Sequence, residues 1–237
     1  MHHSDSATVT TVDTLAKLLD VCGELRASEQ VDERAVTGCS FDSRAVSAGD
    51  VFFCKGAAFK PAFLRMALDA GAVAFVCEES LVESLEPLAQ ESGAAMLVVD
   101  SVRTAMALLP PEVYDRPDHD VKIVGITGTK GKTTAAFMLQ SIIKAAGESC
   151  GMIGSVSTDD GIECYESTNT TPEAPEVWRH IANCRTSGRQ SMVMEVSSQA
   201  LKYQRVENLP FDVACFLNIG RDHISPIEHP TFEDYFE

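Results

Sequence analysis

A glycine-rich segment at residues 125–134 constrains this chain more than any other feature. It reads Gly-Ile-Thr-Gly-Thr-Lys-Gly-Lys-Thr-Thr, follows apolar residues at 121, 123 and 124, and precedes a stretch with helical apolar spacing. Strand, glycine loop and helix in this order form a phosphate-binding loop, because glycines let backbone N–H groups close around phosphates and the helix start adds its positive dipole end. Lys132 can reach the outer phosphates, and Thr133 can offer its hydroxyl to Mg2+.

Length, charge and cysteine usage narrow the class of protein. The 237 residues suffice for two ordinary domains, and 35 acidic against 19 basic residues give a net charge of −16, which argues against a nucleic-acid partner. The eight cysteines contain no Cys-x-x-Cys pair and favour buried thiols in a reducing compartment. The first residues lack the apolar core of a signal peptide, and no apolar stretch approaches membrane-spanning length. We therefore expect a cytoplasmic protein without a membrane span.

A proline-rich stretch separates two periodic regions of the chain. After a polar tail at 1–10, short apolar strands alternate with helical segments, which predicts a small N-terminal α/β domain over residues 11–110. Prolines and charges concentrate at 111–120, as they do in a linker. Continuous apolar runs at 191–196 and 213–217 are typical of buried parallel strands covered by helices, so residues 121–237 are predicted to form a P-loop-type, mostly parallel α/β domain.

Polar side chains follow both of these apolar runs. Glu195 stands at the carboxyl end of the first run, where a nucleotide-binding sheet places its metal ligand. Asn218, Asp222 and His223 follow the second run and are expected at the same edge of the sheet. A single glutamate or histidine at a strand end is more often structural, so these positions do not decide the function by themselves.

The spacing of the glycine loop points to one family. Its pattern Gly-x-x-Gly-x-x-Gly-Lys-Thr-Thr resembles the ATP loop of the Mur ligases, ATP-dependent amide-forming enzymes of bacterial cell-wall synthesis. The Met-Glu-Val-Ser-Ser segment at 194–198 and the Asp-His pair at 222–223 are similar to the metal-binding motifs of this family. The resemblance implies Thr133, Glu195 and His223 as metal ligands for Mg2+, and Lys132, Glu195 and His223 as catalytic residues. It implies an ATP site made of Gly128, Thr129, Lys130, Gly131, Lys132, Thr133 and Thr134.

Three other segments resemble the substrate-binding parts of the same family. The Phe-Asp-Ser-Arg sequence at 41–44, followed by a glycine turn, is similar to its uridine-nucleotide-binding domain. The Asn-Thr-Thr sequence at 169–171 and the stretch 195–206 resemble segments that bind the muramoyl peptide. The resemblance implies UDP-N-acetylmuramoyl-L-alanyl-D-glutamate as the acceptor, with L-lysine or a diaminopimelate as the amino acid added. The implied substrate contacts are Ser43, Asn169, Thr170, Thr171, Ser197 and Arg205.

The expected activity is that of an ATP-dependent acid–amino acid ligase that works through an acyl phosphate. Family members carry a third, amino-acid-binding domain and a carbamylated lysine that this sequence does not supply, since no lysine follows Lys202. We therefore expect an incomplete central domain and a chain that is inactive alone. We also expect the chain to be a monomer. Three alternatives stay open: another Mur or folylpolyglutamate-type amide ligase, a non-catalytic module that binds nucleotide and UDP-muramoyl peptide, and a P-loop GTPase or kinase, for which the sequence shows no base-recognition or acceptor motif.

Overall fold

The computed structural model describes residues 10–19, 33–221 and 229–236. Internal contacts divide the chain into two units, Met1–Arg116 and Pro117–Glu237. The first unit contains α1 (Val12–Leu19), β1 (Gly38–Ser40), β2 (Asp50–Phe53), α2 (Pro61–Asp69), β3 (Ala74–Glu78), a 3-10 turn (Glu79–Leu81), α3 (Val82–Ser92), β4 (Ala95–Val99), α4 (Val102–Leu108) and α5 (Pro110–Val113). Its four strands pair in parallel in the order β1-β2-β3-β4.

Helices cover both faces of this first sheet. Successive strand residues point to opposite faces, so two neighbouring phenylalanines of β2 enter different cores. Phe53 packs with Leu15 of α1 and Met106 of α4 on one face. Phe52 packs with Leu64 of α2 and Leu85 of α3 on the other. This alternation explains why β2 is buried along its whole length.

The segment expected as a linker is partly folded into both units. Pro111 and Val113 lie in α5 and are buried, and Val113 belongs to the first core. Pro117 is also buried, in a 3-10 turn (Pro117–His119) that opens the second unit. The division falls between Arg116 and Pro117, inside the segment 111–120.

The second unit continues with β5 (Lys122–Thr127), α6 (Lys132–Ala145), β6 (Cys150–Ile153), β7 (Ser157–Asp159), β8 (Cys164–Glu166), α7 (Ala174–Thr186), β9 (Ser191–Glu195), α8 (Ser198–Lys202), β10 (Val213–Phe216) and α9 (Phe232–Phe236). The sheet order is β10-β5-β9-β6-β7-β8. The first four of these strands pair in parallel, and β7 and β8 are added antiparallel. The prediction of an α/β protein with a mostly parallel nucleotide-type sheet is confirmed.

The apolar run at 213–217 does not form the buried strand that the sequence predicts. Its strand, β10, lies at the edge of the described sheet and pairs only with β5 within it. Val213 is 55 % exposed and Phe216 is 65 % exposed. The prediction was wrong because apolar composition reports the tendency to be buried, whereas position in the sheet depends on which strands are present to pair. By contrast, every residue of β9 is buried.

A buried polar network ties the β7–β8 hairpin to α7. Asp160 is fully buried, and its Oδ2 lies 2.6 Å from Nδ1 of His180 and accepts a 2.8 Å hydrogen bond from Nδ2 of Asn183. Its Oδ1 accepts the backbone N–H groups of Ile162 and Glu163 at 2.9 and 2.7 Å. Burial alone would raise the pKa of Asp160, but these hydrogen bonds outweigh it and hold the pKa well below its usual range. The carboxylate is therefore stable in the interior as an anion.

None of the helices in the described ranges has the length and the apolar content needed to cross a lipid bilayer.

Candidate nucleotide and acceptor site

The glycine loop lies between the end of β5 and the first turn of α6. Gly131 precedes α6 with φ of +90°, and Gly128 has φ of +139°, a region that other residues rarely adopt. A Cβ at Gly128 would also lie 3.0 Å from the carbonyl oxygen of Asn218. Both glycines are therefore required for the loop to turn where it does, and the helix start faces the loop as a phosphate site requires.

The segment after β10 fixes the loop from one side. The N–H of Thr129 donates to the carbonyl oxygen of Asn218 at 3.0 Å, and the side-chain amide of Asn218 bonds both the N–H and the C=O of Lys130. The hydroxyl of Thr129 lies 2.8 Å from the Tyr235 hydroxyl and accepts the N–H of Gly220 at 2.8 Å. The Thr129 side chain is thus engaged inside the protein, and its contribution to a ligand is limited to its backbone.

Lys132 and Thr133 occupy the first turn of α6. The ammonium group of Lys132 donates to the carbonyl oxygen of Gly128 at 2.6 Å, across the loop that a phosphate would enter. A phosphate oxygen is a stronger acceptor for this ammonium group, since its charge is negative. The Thr133 hydroxyl donates to Oε2 of Glu195 at 2.9 Å. Thr134 is exposed.

Glu195 ends β9 and is only 1 % exposed. Its Oε1 accepts the N–H of Ser155 at 2.8 Å, and its Oε2 accepts the Ser155 hydroxyl at 3.2 Å besides that of Thr133. Gly154 lets this carboxylate come close, because a Cβ there would lie 2.5 Å from Oε1. Hydroxyl and amide hydrogens therefore compensate the charge, and within the described region no cationic side chain forms an ion pair with this carboxylate.

These donors fit a magnesium ion. Mg2+ prefers hard oxygen ligands, and it is bound in proteins by one or two carboxylates together with substrate phosphates and water. A buried carboxylate and a hydroxyl, 2.9 Å apart and beside a phosphate loop, supply that donor set. Thr133 and Glu195 are the described residues that could hold the ion. The third implied ligand, His223, lies outside the described residues, as does Asp222.

A cavity of about 410 Å3 joins the loop to the residues that the sequence assigns to the acceptor. Gly128 and Lys132 line it on the phosphate side. On the other side it is lined by four of the predicted substrate residues, namely Asn169, Thr170, Ser197 and Arg205. The structure thus brings the predicted nucleotide and acceptor residues of the second unit into one space.

Thr171 has a different environment from its neighbours. It is fully buried; its hydroxyl donates to the carbonyl oxygen of Glu195 at 2.9 Å and accepts the N–H of Ser197 at 3.0 Å. It therefore supports the end of β9 from behind. Arg205 donates to the carbonyl oxygen of Thr171 at 3.0 Å, and its Nε lies 3.1 Å from Oε1 of Glu173. Arg205 is therefore paired with a carboxylate and still lies on the cavity wall.

Ser43 lies in the first unit, in a separate hollow of about 380 Å3. Aromatic rings line it, among them Phe41, Phe59 and Phe63. The ammonium group of Lys55 sits 4.7 Å from the centre of the Phe41 ring. Aromatic side chains can enclose the flat ring of a nucleotide base, and a nearby cation can attract its phosphates. This hollow offers both features.

Sequence reasoning missed two residues of the second unit's site. Ser155 was overlooked, although its N–H and hydroxyl both contact Glu195 and its hydroxyl oxygen lies 3.0 Å from that of Thr170. A polar Gly-Ser pair directly after the apolar run of β6 is the signal that could have found it, because β6 is parallel to β9 and ends at the same edge. Tyr235, which contacts Thr129, gives no comparable signal.

Comparison with known proteins decides the family. Residues 126–237 match the family described as "Mur ligase middle domain". Over 214 residues the chain is 43% identical to the UDP-N-acetylmuramoyl-L-alanyl-D-glutamate--L-lysine ligase of Enterococcus faecalis. The chain belongs to the Mur ligase family. Over 204 residues it is also 43% identical to the UDP-N-acetylmuramyl-tripeptide synthetase of Latilactobacillus sakei.

This Mur ligase chain spans less than half the length of the curated relatives it matches. The two alignments cover 90% and 84% of the chain, but only 41% and 38% of the relatives. A solved structure of a UDP-N-acetylmuramoyl-L-alanyl-D-glutamate--2,6-diaminopimelate ligase superposes with a TM-score of 0.72 at 22% identity, over 96% of this chain and 43% of that one. At that identity the structural likeness establishes the shared fold.

Proposed function

We propose that this chain binds MgATP and UDP-N-acetylmuramoyl-L-alanyl-D-glutamate, and that the protein it represents joins an amino acid to this acceptor as a peptidoglycan-precursor ligase. The amino acid we propose is L-lysine, because a relative 43% identical to the chain carries L-lysine in its name. The match with a diaminopimelate ligase has only 22% identity and does not bear on the choice.

One observation carries this proposal. The cavity beside the phosphate loop is lined both by Lys132 and by the predicted acceptor residues Asn169, Thr170, Ser197 and Arg205. A ligase that activates a carboxylate with ATP needs the γ-phosphate and that carboxylate in contact, since proximity supplies much of its rate enhancement. An enzyme that only hydrolyses a nucleotide does not need hydroxyl and amide side chains on the opposite side of its phosphate-binding cavity.

The proposed chemistry has two steps. A carboxylate oxygen of the acceptor attacks the γ-phosphorus, and the bond from that phosphorus to the β-phosphate oxygen breaks, which gives an acyl phosphate and ADP. The amine nitrogen of the amino acid then attacks the acyl carbon, loses a proton and displaces inorganic phosphate, which leaves an amide. The side chains described here position the reactants and stabilise charge; none of them forms a covalent intermediate.

Specific residues have distinct parts in the first step. Lys132 moves from the Gly128 carbonyl to the phosphoryl oxygens and stabilises the charge that develops on them. Arg205, held by the Thr171 carbonyl and Glu173, orients the acceptor's anionic end. Thr133 and Glu195 would hold Mg2+, which when bound supplies further neutralisation of the phosphate charge. In the first unit, Ser43 and its aromatic hollow would hold the acceptor's uridine nucleotide.

Calorimetry tests this proposal. We expect UDP-N-acetylmuramoyl-L-alanyl-D-glutamate to bind the chain, with or without a non-hydrolysable MgATP analogue, and to bind about tenfold more weakly to Arg205→Ala, which loses a charge-assisted contact. Ser43→Ala is expected to weaken binding by about fivefold.

Two matched variants control for non-specific effects. Ser92→Ala removes an exposed hydroxyl of the first unit that bonds only backbone groups, those of α3 and the N–H of Ala94. Arg185→Ala removes an arginine that does not line the cavity. Binding unchanged in all four variants would contradict the assignment of the acceptor site. No binding to a folded wild-type chain would favour a different acceptor, such as that of a folylpolyglutamate-type ligase.

A further inference from the structure

A hydrogen-bonded chain of three side chains lies behind the acceptor wall and has no part in the mechanism above. The hydroxyl of Ser198 lies 3.0 Å from Nε2 of His229, and Nδ1 of His229 lies 2.8 Å from Oδ2 of Asp234. His229 is only 3 % exposed and packs edge-on against the Tyr235 ring, with centroids 5.1 Å apart. Ser198 itself lines the cavity. The hydrogen bonds of these three side chains thus run from a surface carboxylate through a buried imidazole to the cavity wall.

The proton positions in this row of three side chains follow from which of their atoms can donate a hydrogen bond and which can only accept one. The pKa of Asp234 is lowered by the Lys202 ammonium group and by His229, so its carboxylate is an ion that only accepts hydrogen bonds. Nδ1 of His229 must therefore carry a hydrogen. In the neutral ring Nε2 then has only a lone pair, and Ser198 has to donate its single hydroxyl hydrogen to it. The lone pairs of the Ser198 oxygen are left for a ligand.

Lys202 contacts the same carboxylate as the imidazole. Its ammonium group lies 2.7 Å from Oδ2 of Asp234, the same oxygen that His229 contacts. Because the Lys202 ammonium group shares this oxygen, the carboxylate attracts a positive charge on the imidazole less strongly than an unshared carboxylate would. Within the described region, the charged groups of this network are Asp234 on α9 and Lys202 on α8, and the phenol ring of Tyr235 packs against the imidazole.

The same argument separates this arrangement from a hydrolytic triad of serine, histidine and aspartate. In a triad the carboxylate stabilises the imidazolium that forms when the serine loses its proton. Here Lys202 already occupies that carboxylate oxygen, so imidazolium formation gains less from it. Ser198 is therefore better suited to accept a hydrogen bond than to act as a nucleophile.

We infer that Ser198 is a specificity-determining residue that accepts a hydrogen bond from an amide N–H group in the peptide part of the acceptor, and that His229 is the positioning residue that imposes this polarity. The inference rests on the proposed function, because it names a contact within the same acceptor site. A hydroxyl free to rotate would tolerate a donor or an acceptor on the ligand. A hydroxyl whose hydrogen is committed to Nε2 selects a donor.

Two acceptor analogues test the inference. Each replaces one of the two backbone amide N–H groups of the peptide part, that of alanine or that of glutamate, with an ester oxygen and leaves the shape nearly unchanged. We expect one of them to bind the wild-type chain about fivefold more weakly than the parent acceptor, the loss of one hydrogen bond. Ser198→Ala should bind the parent about fivefold more weakly as well, but should show no further loss with that analogue.

The positioning role of His229 has its own readout. His229→Asn keeps an amide N–H for Asp234 but removes the acceptor at Nε2, so the Ser198 hydrogen is freed. We expect the fivefold preference for amide over ester to fall below about twofold in this variant. A purely structural role would weaken both ligands equally and leave the preference unchanged. Ser141→Ala, which removes an exposed hydroxyl bonded only to the backbone of α6, is the control and should behave as wild type.

The outcomes separate this inference from the proposed function. Failure of the parent acceptor to bind the folded wild-type chain would overturn both. If the parent acceptor binds, two results would overturn the role of Ser198 alone. One is that the wild-type chain binds both esters as tightly as the parent acceptor. The other is that the loss from an ester and the loss from Ser198→Ala simply add.

Discussion

Replacing Glu195 by glutamine separates the structural role of this side chain from its proposed role at the metal. The two side chains have the same shape, and only the charge and one acceptor atom change. Because the N–H of Ser155 is a fixed donor, the glutamine oxygen should stay at the Oε1 position. The new NH2 group then faces the hydroxyls of Thr133 and Ser155, which can rotate to accept from it.

The expected effects on stability and on binding differ in size. All three hydrogen bonds can be kept and a buried charge is removed, so the free energy of unfolding should change by no more than about 1 kcal/mol. Binding of MgATP loses a charged ligand, and interactions of this kind contribute about 1.5–3 kcal/mol. The dissociation constant of a non-hydrolysable MgATP analogue should therefore rise about 10- to 150-fold.

Calorimetric titration of wild type and Glu195→Gln, with excess Mg2+ and with chelator, measures this effect. The difference between the two proteins should be large with Mg2+ and should nearly vanish with chelator. Glu166→Gln, an exposed glutamate of β8, is the matched control and should behave as wild type. Equal affinity of Glu195→Gln and wild type in excess Mg2+ would refute the assignment of Glu195 to the metal.

Three further predictions use other parts of the second unit. Lys132→Ala should weaken binding of the MgATP analogue at least about tenfold, because a charge-assisted phosphate contact is lost. Lys144→Ala, at the other end of α6, is the control and should not weaken it. Equal calorimetric affinities of Lys132→Ala and wild type would contradict this prediction. Gly154→Ala should also weaken binding in a Mg2+-dependent manner, since its Cβ would displace the Glu195 carboxylate, and a Mg2+-independent loss would point to misfolding instead. Asp160→Asn should lower the free energy of unfolding by about 2–4 kcal/mol in urea titrations near neutral pH, because its NH2 group faces the donors of His180 and Asn183. The pKa of Asp160 in the folded protein lies below the ordinary value of an aspartate, so its stabilisation is present above that ordinary value and is lost as the pH falls toward the folded-state pKa. A stability difference between the two proteins that grows in acid would refute this.

Much of the scaffold of the site could be predicted from sequence. The order of apolar strand, glycine loop and helix at 121–145 follows from short-range chemistry, since each residue type is needed where it stands. Glu195 could be placed at a strand end because its run of apolar residues stops there. Parallel strands end at one edge, so its proximity to Thr133 follows from topology as well.

Contacts between distant segments could not be predicted in this way. Tyr235 meets Thr129 across 106 positions of sequence, and His229 meets Ser198 across 31. No periodic pattern or motif in the sequence predicts either contact. The edge position of β10 is a related case, because composition alone does not tell which strands flank a run. His223 and the residues around it lie outside the described ranges, and its role as a metal ligand stays a prediction.

The most direct test of the account is a crystal structure of the chain with a non-hydrolysable MgATP analogue and UDP-N-acetylmuramoyl-L-alanyl-D-glutamate. The account predicts the γ-phosphate within reach of Lys132, the ion in contact with Thr133 and Glu195, and the acceptor's peptide along Asn169, Ser197 and Arg205 in the same cavity. A nucleotide bound at another place, or an acceptor peptide outside this cavity, would contradict it.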